Sequence, residues 1–200
     1  MARVVLASGN PGKLREFSDL LAGQGFELAR QSDFGIEPPP ETGTTFLENA
    51  LIKARNAAQR TGLPAIADDS GIEVDALDGA PGVYSARYAG EDASDESNLL
   101  KMLAALKGVP DSRRGARYRC VIVYVRNADD TQPLIGEGTW EGSVIDARRG
   151  LNGFGYDPSF VPAGEIRTAA EMSAAEKHVV SHRGQAMRAF LAQFTARKPG

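Results

Sequence analysis

Hydrophobic positions along the chain form short apolar runs that alternate with amphipathic helical stripes. The run over residues 3–8 predicts a buried strand, and Asn10 followed by Pro11 favours the start of a helix whose apolar stripe stops at Gly23. The same criteria predict strands over residues 64–67, 118–125 and 134–140. They predict further helices over residues 45–60, 95–107, 168–171, 173–178 and 181–195. Because helix-linked strands are combined with a hairpin, we expect one α/β domain with a mixed sheet over residues 1–200.

Composition narrows the class of protein. Apolar residues make up 42% of the 200 residues, which is enough for a sizeable core, and the formal net charge is only −3. This charge balance argues against a nucleic-acid-binding protein, which needs a basic face. The single cysteine, Cys120, lies in an apolar run and has no partner for a disulfide, which fits a reducing compartment. With no stretch of about 20 apolar residues and no signal-peptide pattern, we expect a soluble, cytoplasmic protein that does not bind membranes.

The loop after the first strand is a candidate anion site. Backbone N–H groups at the start of a helix, together with the helix dipole, attract phosphate groups, and Lys13 adds a full positive charge there. The spacing is not that of a Walker A loop. An ordinary strand-to-helix turn is the alternative explanation. The residues of this loop are Ser8, Gly9, Asn10, Pro11, Gly12 and Lys13.

Two adjacent carboxylates, Asp68 and Asp69, follow the second apolar strand and precede Ser70. Adjacent carboxylates repel each other, and their burial costs several kcal/mol unless a cation compensates the charge. Mg²⁺ takes one or two carboxylates together with phosphate oxygens, so the pair is a candidate metal site, with Glu41 as a further ligand. The alternatives are a solvated Asp-Asp turn and a surface position for Glu41.

Basic residues in two predicted helices are candidate ligands for an anionic substrate. Lys53 lies four residues after Asn49 on one helical face, although a lone helical lysine is usually solvated. His182 and Arg183 lie in the first turn of the last helix, where the dipole disfavours cations by about 0.3–1 kcal/mol. A ligand rich in acceptors would offset that cost, and Lys177 lies close by in the sequence. The alternative is an exposed, suboptimal helix start.

A glycine-rich loop carries two aromatic residues, Phe154 and Tyr156, with Gly155 between them and Asp157 after them. Glycine permits a close backbone approach, so such a loop can bring a flat ring against a nucleotide base. An aromatic anchor that fixes the loop to the core is the alternative.

Six motifs occur in order along nearly the whole chain, and together they resemble the dITP/XTP pyrophosphatase (Ham1-like) family, which acts on non-standard purine nucleotides. The motifs are Ser8-Gly9-Asn10-x-x-Lys13, Thr45-Phe46-x-Glu48-Asn49-Ala50-x-x-Lys53-Ala54, Ala67-Asp68-Asp69-Ser70-Gly71, Gly79-Ala80-Pro81-Gly82-Val83-Tyr84-Ser85-Ala86-Arg87-Tyr88, Phe154-Gly155-Tyr156-Asp157-Pro158 and Ser181-His182-Arg183. The resemblance implies an elongated, two-lobed α/β fold with a mixed sheet and a long central nucleotide cleft. It also implies a homodimer that hydrolyses ITP, dITP and XTP to the monophosphate and pyrophosphate with Mg²⁺.

The resemblance also implies roles for individual residues. The loop Ser8–Lys13 holds the triphosphate, Lys13 and Lys53 neutralise it, and Asp69 accepts a proton. The metal-side carboxylates are Glu41, Asp68 and Asp69. The other substrate contacts are Ser70, Phe154, Gly155, Tyr156, Asp157, Lys177, His182 and Arg183.

Two other functions fit part of the sequence. A regulatory module that binds nucleotides without turnover would need no paired metal carboxylates, so Asp68 and Asp69 count against it. A related pyrophosphatase of methylated or pyrimidine nucleotides is the second alternative. The Phe154–Asp157 and Ser181–Arg183 segments favour a purine substrate instead.

Overall fold

The computed structural model describes residues 2–196. The helices are α1 (Pro11–Leu21), α2 (Phe46–Thr61), α3 (Asp95–Ala105), α4 (Ala174–Val180) and α5 (His182–Ala196). The strands are β1 (Ala2–Leu6), β2 (Phe26–Arg30), β3 (Ala65–Val74), β4 (Gly115–Val125), β5 (Leu134–Val144) and β6 (Phe160–Pro162). Short 3₁₀ turns connect several of these elements. No helix within residues 2–196 is long and apolar enough to cross a membrane.

The six strands form one mixed sheet in the order β2-β1-β3-β4-β5-β6. Strand β1 pairs in parallel with both β2 and β3, whereas β5 and β6 are antiparallel. Parallel neighbours need a crossover connection, and α1 supplies the one between β1 and β2. The predicted α/β class with a mixed sheet is therefore confirmed.

Three strands differ from the sequence-based expectation. The sequence pattern did not predict β2 or β6: β2 buries only Ala29 among its five residues, and β6 is only three residues long. Strand β3 was expected to end at Ala67, because aspartate is depleted in strands. In the structure β3 continues through both aspartates to Val74, and these aspartates are buried and paired with cations.

The chain divides into two compact units, each assembled from separate segments. Among the described residues, unit 1 comprises residues 2–69, 120–138 and 183–196, and unit 2 comprises residues 70–119 and 139–182. Each unit has its own apolar cluster, formed around Phe17, Ile122 and Phe190 in unit 1 and around Trp140 and Phe160 in unit 2. The single domain expected over residues 1–200 stays a prediction.

Local hydrogen bonds explain where α1 and α2 begin. Asn10 Oδ1 accepts from Lys13 N at 3.1 Å, and Pro11 occupies the first turn. Thr45 Oγ1 accepts from Glu48 N at 3.2 Å, while Glu48 Oε2 accepts from Thr45 N at 3.0 Å. These reciprocal bonds form a capping box and satisfy two backbone donors that the helix cannot. Both predicted helix starts are confirmed.

Replacing Thr45 by alanine tests the contribution of this cap. The change removes the acceptor for Glu48 N, so we expect the free energy of unfolding in urea to fall by about 1 kcal/mol. Ser18→Ala is the matched control, because Ser18 Oγ only adds a second bond to Leu14 O within α1. The control is expected to stay within about 0.5 kcal/mol of the unmodified protein. Equal stability of the two variants would contradict a contribution from the cap.

Candidate active site

The predicted anion loop of unit 1 connects the end of β1 to the start of α1. Asn10 N donates to Ser8 Oγ at 3.3 Å, which folds the loop back on itself before the helix begins. Lys13, in the first turn of α1, reaches Asp68 on β3, with 3.1 Å between Lys13 Nζ and Asp68 Oδ2. The loop thus presents a helix N-terminus together with a lysine, which is the arrangement that favours an anion.

Asp68 is a buried carboxylate that two cations of unit 1 compensate. It is only 1% exposed, and its Oδ2 accepts from Arg183 Nη2 at 3.1 Å and from Arg183 Nε at 3.3 Å, in addition to Lys13. Burial by itself would raise the pKa of Asp68, but Lys13 and Arg183 outweigh burial and hold that pKa well below its usual range. Its second oxygen, Oδ1, is buried and has no hydrogen-bond partner within residues 2–196.

Cys120 lies on β4 beside Asp68, with 3.9 Å between its Sγ and Asp68 Oδ2. Burial, followed by the negative charge of Asp68, raises the pKa of the Cys120 thiol to about 12. The thiol is therefore protonated at neutral pH and acts as a weak donor to the carboxylate. The expectation of a buried strand cysteine is confirmed.

Arg183 is fully buried at the start of α5, where it pairs with two carboxylates of unit 1. Besides its bonds to Asp68, its Nη1 donates to Glu16 Oε2 on α1. Burial lowers the pKa of Arg183, but the charges of Asp68 and Glu16 outweigh burial and raise that pKa above its usual value. The acceptors that the sequence argument called for are present as Asp68 and Glu16, and the alternative of an exposed helix start is wrong because Arg183 is buried. A contact between Arg183 and a substrate stays a prediction. Sequence reasoning missed Glu16, although it lies three residues after Lys13 on α1.

Asp69 lies next to Asp68 on β3 and has its own set of donors. Lys53 Nζ lies 2.9 Å from Asp69 Oδ1 and 2.8 Å from Glu41 Oε1, so one lysine bridges two carboxylates. Asn49 Nδ2 donates to Asp69 Oδ2 at 3.3 Å. Burial raises the pKa of Asp69, and the opposing charges of Lys53 and Lys13 do not cancel that effect.

Lys53 differs from the expected solvated lysine, because it is only 7% exposed. Burial lowers its pKa, yet the attraction of Asp69, Asp68 and Glu41 outweighs burial and raises the pKa. Lys53 is therefore a charged, buried residue. Its partners lie 12 and 16 residues away in the sequence, so helical periodicity alone did not reveal them.

The carboxylates predicted to bind metal are paired with the protein's own cations. Within residues 2–196, no group of three or more His, Cys, Asp or Glu side chains forms a metal-binding cluster. Glu41 and Asp69 share Lys53, whereas Asp68 pairs with Lys13 and Arg183. The metal roles of these three carboxylates stay predictions.

Unit 2 contains a second cluster, centred on the buried Asp157. Its carboxylate accepts from Lys177 Nζ at 2.7 Å, from Phe154 N at 3.0 Å and from Tyr118 Oη at 3.1 Å. Lys177 Nζ also lies 5.1 Å from the centroid of the Phe154 ring, close enough for a cation–π interaction. A cation and an aromatic face are thus held together around one carboxylate.

The other predicted residues of unit 2 surround this cluster or support its loop. His182 is buried and stacks on Tyr118, with ring centroids 4.6 Å apart and planes inclined by 7°. Tyr156 is buried and donates to Ser85 O at 2.7 Å, so it anchors the loop to the core. Ser70 is partly exposed on β3. Sequence reasoning missed Tyr118, since nothing in a buried strand pattern distinguishes a tyrosine that donates to Asp157 from one that only fills the core.

The structure therefore divides the predicted site residues between the two units. Unit 1 holds Ser8, Gly9, Asn10, Pro11, Gly12, Lys13, Glu41, Lys53, Asp68, Asp69 and Arg183. Unit 2 holds Ser70, Phe154, Gly155, Tyr156, Asp157, Lys177 and His182.

The fold and these two clusters define a mixed α/β protein with a charged cluster in one unit and a cation–aromatic cluster in the other. Residues 4–193 match the model of the Ham1 family. The chain belongs to the Ham1 family.

Relatives match the chain over nearly its full length. A protein from Thioalkalivibrio sulfidiphilus is 58% identical over 196 residues, 98% of this chain and 100% of that protein. One from Yersinia pseudotuberculosis is 57% identical over 191 residues, 96% of this chain and 97% of that protein. Both are named dITP/XTP pyrophosphatase. The structure of a HAM1 protein from Coxiella burnetii is 48% identical with a TM-score of 0.90, and the match covers 98% of this chain and 100% of that one.

Replacing Lys53 by methionine tests its role between the buried Asp69 and the partly buried Glu41. Methionine keeps most of the aliphatic stem but leaves Asp69 and Glu41 without their shared cation. Removal of one partner from a buried ion pair costs about 3–5 kcal/mol, so we expect a marked fall in thermal stability without any ligand. Lys107→Met, at an exposed lysine, is the control and should melt within a degree or two of the unmodified protein. A melting temperature of Lys53→Met equal to that of the control would mean that Lys53 does not hold these carboxylates.

Proposed function

We propose that this protein hydrolyses non-standard purine nucleoside triphosphates, ITP, dITP and XTP, to the monophosphate and pyrophosphate, and so cleanses the nucleotide pool. The class of enzyme follows from relatives at 54–58% identity over nearly the full length: the chain is a nucleoside-triphosphate pyrophosphatase, a hydrolase that acts on acid anhydrides. The observation that supports the proposal best is the buried charged cluster of unit 1, next to a loop suited to phosphate groups.

The charges of this cluster bear on the need for a metal ion. Its cations number three and its carboxylates four, which gives a net charge of 3 − 4 = −1 when all are ionised. A triphosphate carries several negative charges of its own, so its binding requires additional positive charge. The cations are Lys13, Lys53 and Arg183, and the carboxylates are Glu16, Glu41, Asp68 and Asp69.

A divalent ion, Mg²⁺, is the cation we propose. Oxygen ligands from one or two carboxylates suit Mg²⁺, which otherwise binds phosphate oxygens and water. The residues fit this requirement at one atom in particular, because Asp68 Oδ1 is a buried anionic oxygen that accepts no hydrogen bond from the part of the chain that the structure describes. Asp68, Asp69 and Glu41 are the residues that would hold the ion. When bound, Mg²⁺ neutralises phosphate charge and polarises the phosphorus–oxygen bonds.

The chain's own residues supply the remaining parts of the reaction. Lys13 and Lys53 neutralise the triphosphate, and the backbone N–H groups of the Ser8–Lys13 loop orient it. Asp69 accepts the proton of the attacking water. Burial raises the pKa of Asp69, which makes its carboxylate a stronger base than an exposed aspartate, and Lys53 and Asn49 fix the position of that carboxylate.

Recognition of the base is assigned to unit 2. The ring of Phe154 offers a stacking surface, and Lys177 offers N–H donors for the 6-keto oxygen of hypoxanthine or xanthine. Adenine presents an amino donor at that position, so the N–H group that faces the base would find a donor instead of an acceptor, at a cost of about 1–3 kcal/mol. Ser70, Gly155, Tyr156, Asp157 and His182 are proposed to border the substrate. The homodimer and the cytoplasmic location also stay predictions.

Asp69→Asn tests the proposed base. The variant keeps the shape of the side chain but cannot accept the proton, so we expect the turnover of ITP and XTP to fall at least ~10²-fold. The assay measures pyrophosphate release with ITP, XTP, dITP, GTP, ATP and dTTP at saturating Mg²⁺. Asp129→Asn, at an exposed aspartate, is the matched control and should keep full activity. Retention of more than a tenth of the unmodified rate in Asp69→Asn would refute the role of Asp69.

Arg183→Lys distinguishes two roles for Arg183. The resemblance implied that its fork reads the purine edge, whereas the structure pairs it with Asp68 and Glu16. A lysine cannot reproduce its several bonds, so we expect the catalytic efficiency for ITP and for ATP to fall by similar factors. The ratio of the two efficiencies, measured in both proteins, decides the question. A fall confined to ITP would instead support direct contact between Arg183 and the base.

A further inference from the structure

The segment that precedes α2 folds back onto the first turns of that helix. Gly43 N donates to Asn49 Oδ1 at 2.8 Å, and Thr44 N donates to Glu48 Oε2 at 2.7 Å. Two residues before Gly43, Glu41 accepts from Lys53 at 2.8 Å. The segment that carries Glu41 is therefore tied to α2 at several points.

Asn49 occupies the centre of these contacts. It is 0% exposed, so its amide cannot rely on water and must be satisfied by the protein. Because Gly43 N can only donate, the amide oxygen of Asn49 must face Gly43 and its NH₂ group must face Asp69, where Nδ2 lies 3.3 Å from Oδ2. The donor Gly43 N and the acceptor Asp69 Oδ2 thus determine the orientation of the Asn49 amide.

These contacts form a closed circuit of hydrogen bonds, which passes through Asp69, Lys53 and Glu41 on one side and through Asn49 and Gly43 on the other. Asp69 accepts from Lys53 on Oδ1 and from Asn49 on Oδ2, so both oxygens have fixed donors from the same face of α2. Lys53 also donates to Glu41, and Asn49 also accepts from Gly43 N, on the segment that carries Glu41. Two neighbouring routes therefore connect Asp69 to the segment of Glu41.

Gly43 shows how closely this circuit is packed. A Cβ atom at residue 43 would lie 2.6 Å from Glu48 Cβ and 2.7 Å from Asn49 Oδ1, closer than any normal contact. Only glycine lets the backbone approach the Asn49 amide at hydrogen-bonding distance. The position of Asn49 therefore depends on a residue that contributes no side chain.

We infer that Asn49 is a positioning residue of the reaction: its amide orients the carboxylate of Asp69 and holds the segment of Glu41 against it. This inference rests on the proposed function, in which Asp69 is the base. Asn49 touches neither substrate nor metal in this account and acts only through Asp69 and Gly43.

The test begins with Asn49→Asp, which keeps the size and the acceptor for Gly43 N but removes the donor to Asp69. We expect kcat for ITP to fall about tenfold or more, while KM changes less than about threefold, because the variant alters the base and leaves the phosphate contacts in place. Asn127→Asp is the matched control: it is exposed, and its Oδ1 likewise accepts a backbone N–H, from Asp129. The control should keep both constants.

The double variant Asn49→Asp/Asp69→Asn separates positioning from general damage to the fold. It exchanges the two groups, so an amide at residue 69 can donate to a carboxylate at residue 49. We expect Asn49→Asp to lower the melting temperature of the ligand-free protein and the exchange to restore most of it. We also expect Asn49→Asp to cause almost no further loss of activity in the Asp69→Asn background, because its effect passes through Asp69.

Gly43→Ala also tests whether the position of the Asn49 amide controls turnover, and it leaves Asn49, Lys53, Asp69 and Glu41 unchanged. Its Cβ displaces the Asn49 amide, so kcat should fall while KM for ITP is maintained. This variant also decides the matter where Asn49→Asp does not fold.

Three results would overturn the inference: a kcat for Asn49→Asp within twofold of the unmodified protein, an equal fractional loss in the Asp69→Asn background, or full activity of Gly43→Ala. Full activity of Asp69→Asn would instead refute the role of Asp69 as the base, and failure of the unmodified protein to hydrolyse ITP or XTP would refute the proposed function. In either case the recovery of melting temperature by the exchanged pair still measures the bond between Asn49 and Asp69.

Discussion

The burial of Asp68 is the constraint on which unit 1 depends. An uncompensated buried carboxylate costs several kcal/mol, so the chain must bring cations to it. One comes from α1, as Lys13, and the other from the start of α5, as Arg183. These residues lie 170 positions apart in the sequence. A single carboxylate on β3 thus joins the first and last segments of unit 1, and Glu16 strengthens the link by pairing with Arg183.

The two adjacent aspartates of β3 differ in the cations that lie closest to them. Asp68 pairs with Lys13 and Arg183, and Asp69 pairs with Lys53. Each cation of the cluster is therefore already paired with a carboxylate when no ligand is bound. An anion that binds there must compete with carboxylates for the lysines, which favours groups of high charge density such as phosphates over weaker acceptors.

Features that depend on neighbouring residues could be predicted from the sequence, whereas features that depend on contacts with residues far away in the sequence could not. The Asn10-Pro11 start of α1 and the capping box of α2 are confirmed because all their partners lie within four residues. The extension of β3 and the burial of Lys53 were missed because the compensating charges come from other elements. The resemblance correctly indicated the family and the fold class. It could not reveal that Asn49 fixes Asp69, since only the folded backbone at Gly43 brings that amide into contact.

The cluster of unit 2 limits how a purine could be distinguished there. Under the proposed function, Lys177 supplies a donor for a 6-keto oxygen, and Asp157 orients this donor before any ligand binds, which lowers the entropic cost of binding. Guanine has the same keto oxygen, so this lysine would not exclude it. Discrimination against guanine would then depend on the space near its 2-amino group. The backbone is closely packed around Asp157: a Cβ at Gly153 would overlap Asp157 Oδ2, and Asp157 also binds Phe154 N. If this loop borders the base, as proposed, its rigid backbone would reject by shape a guanine that the lysine accepts by hydrogen bonding.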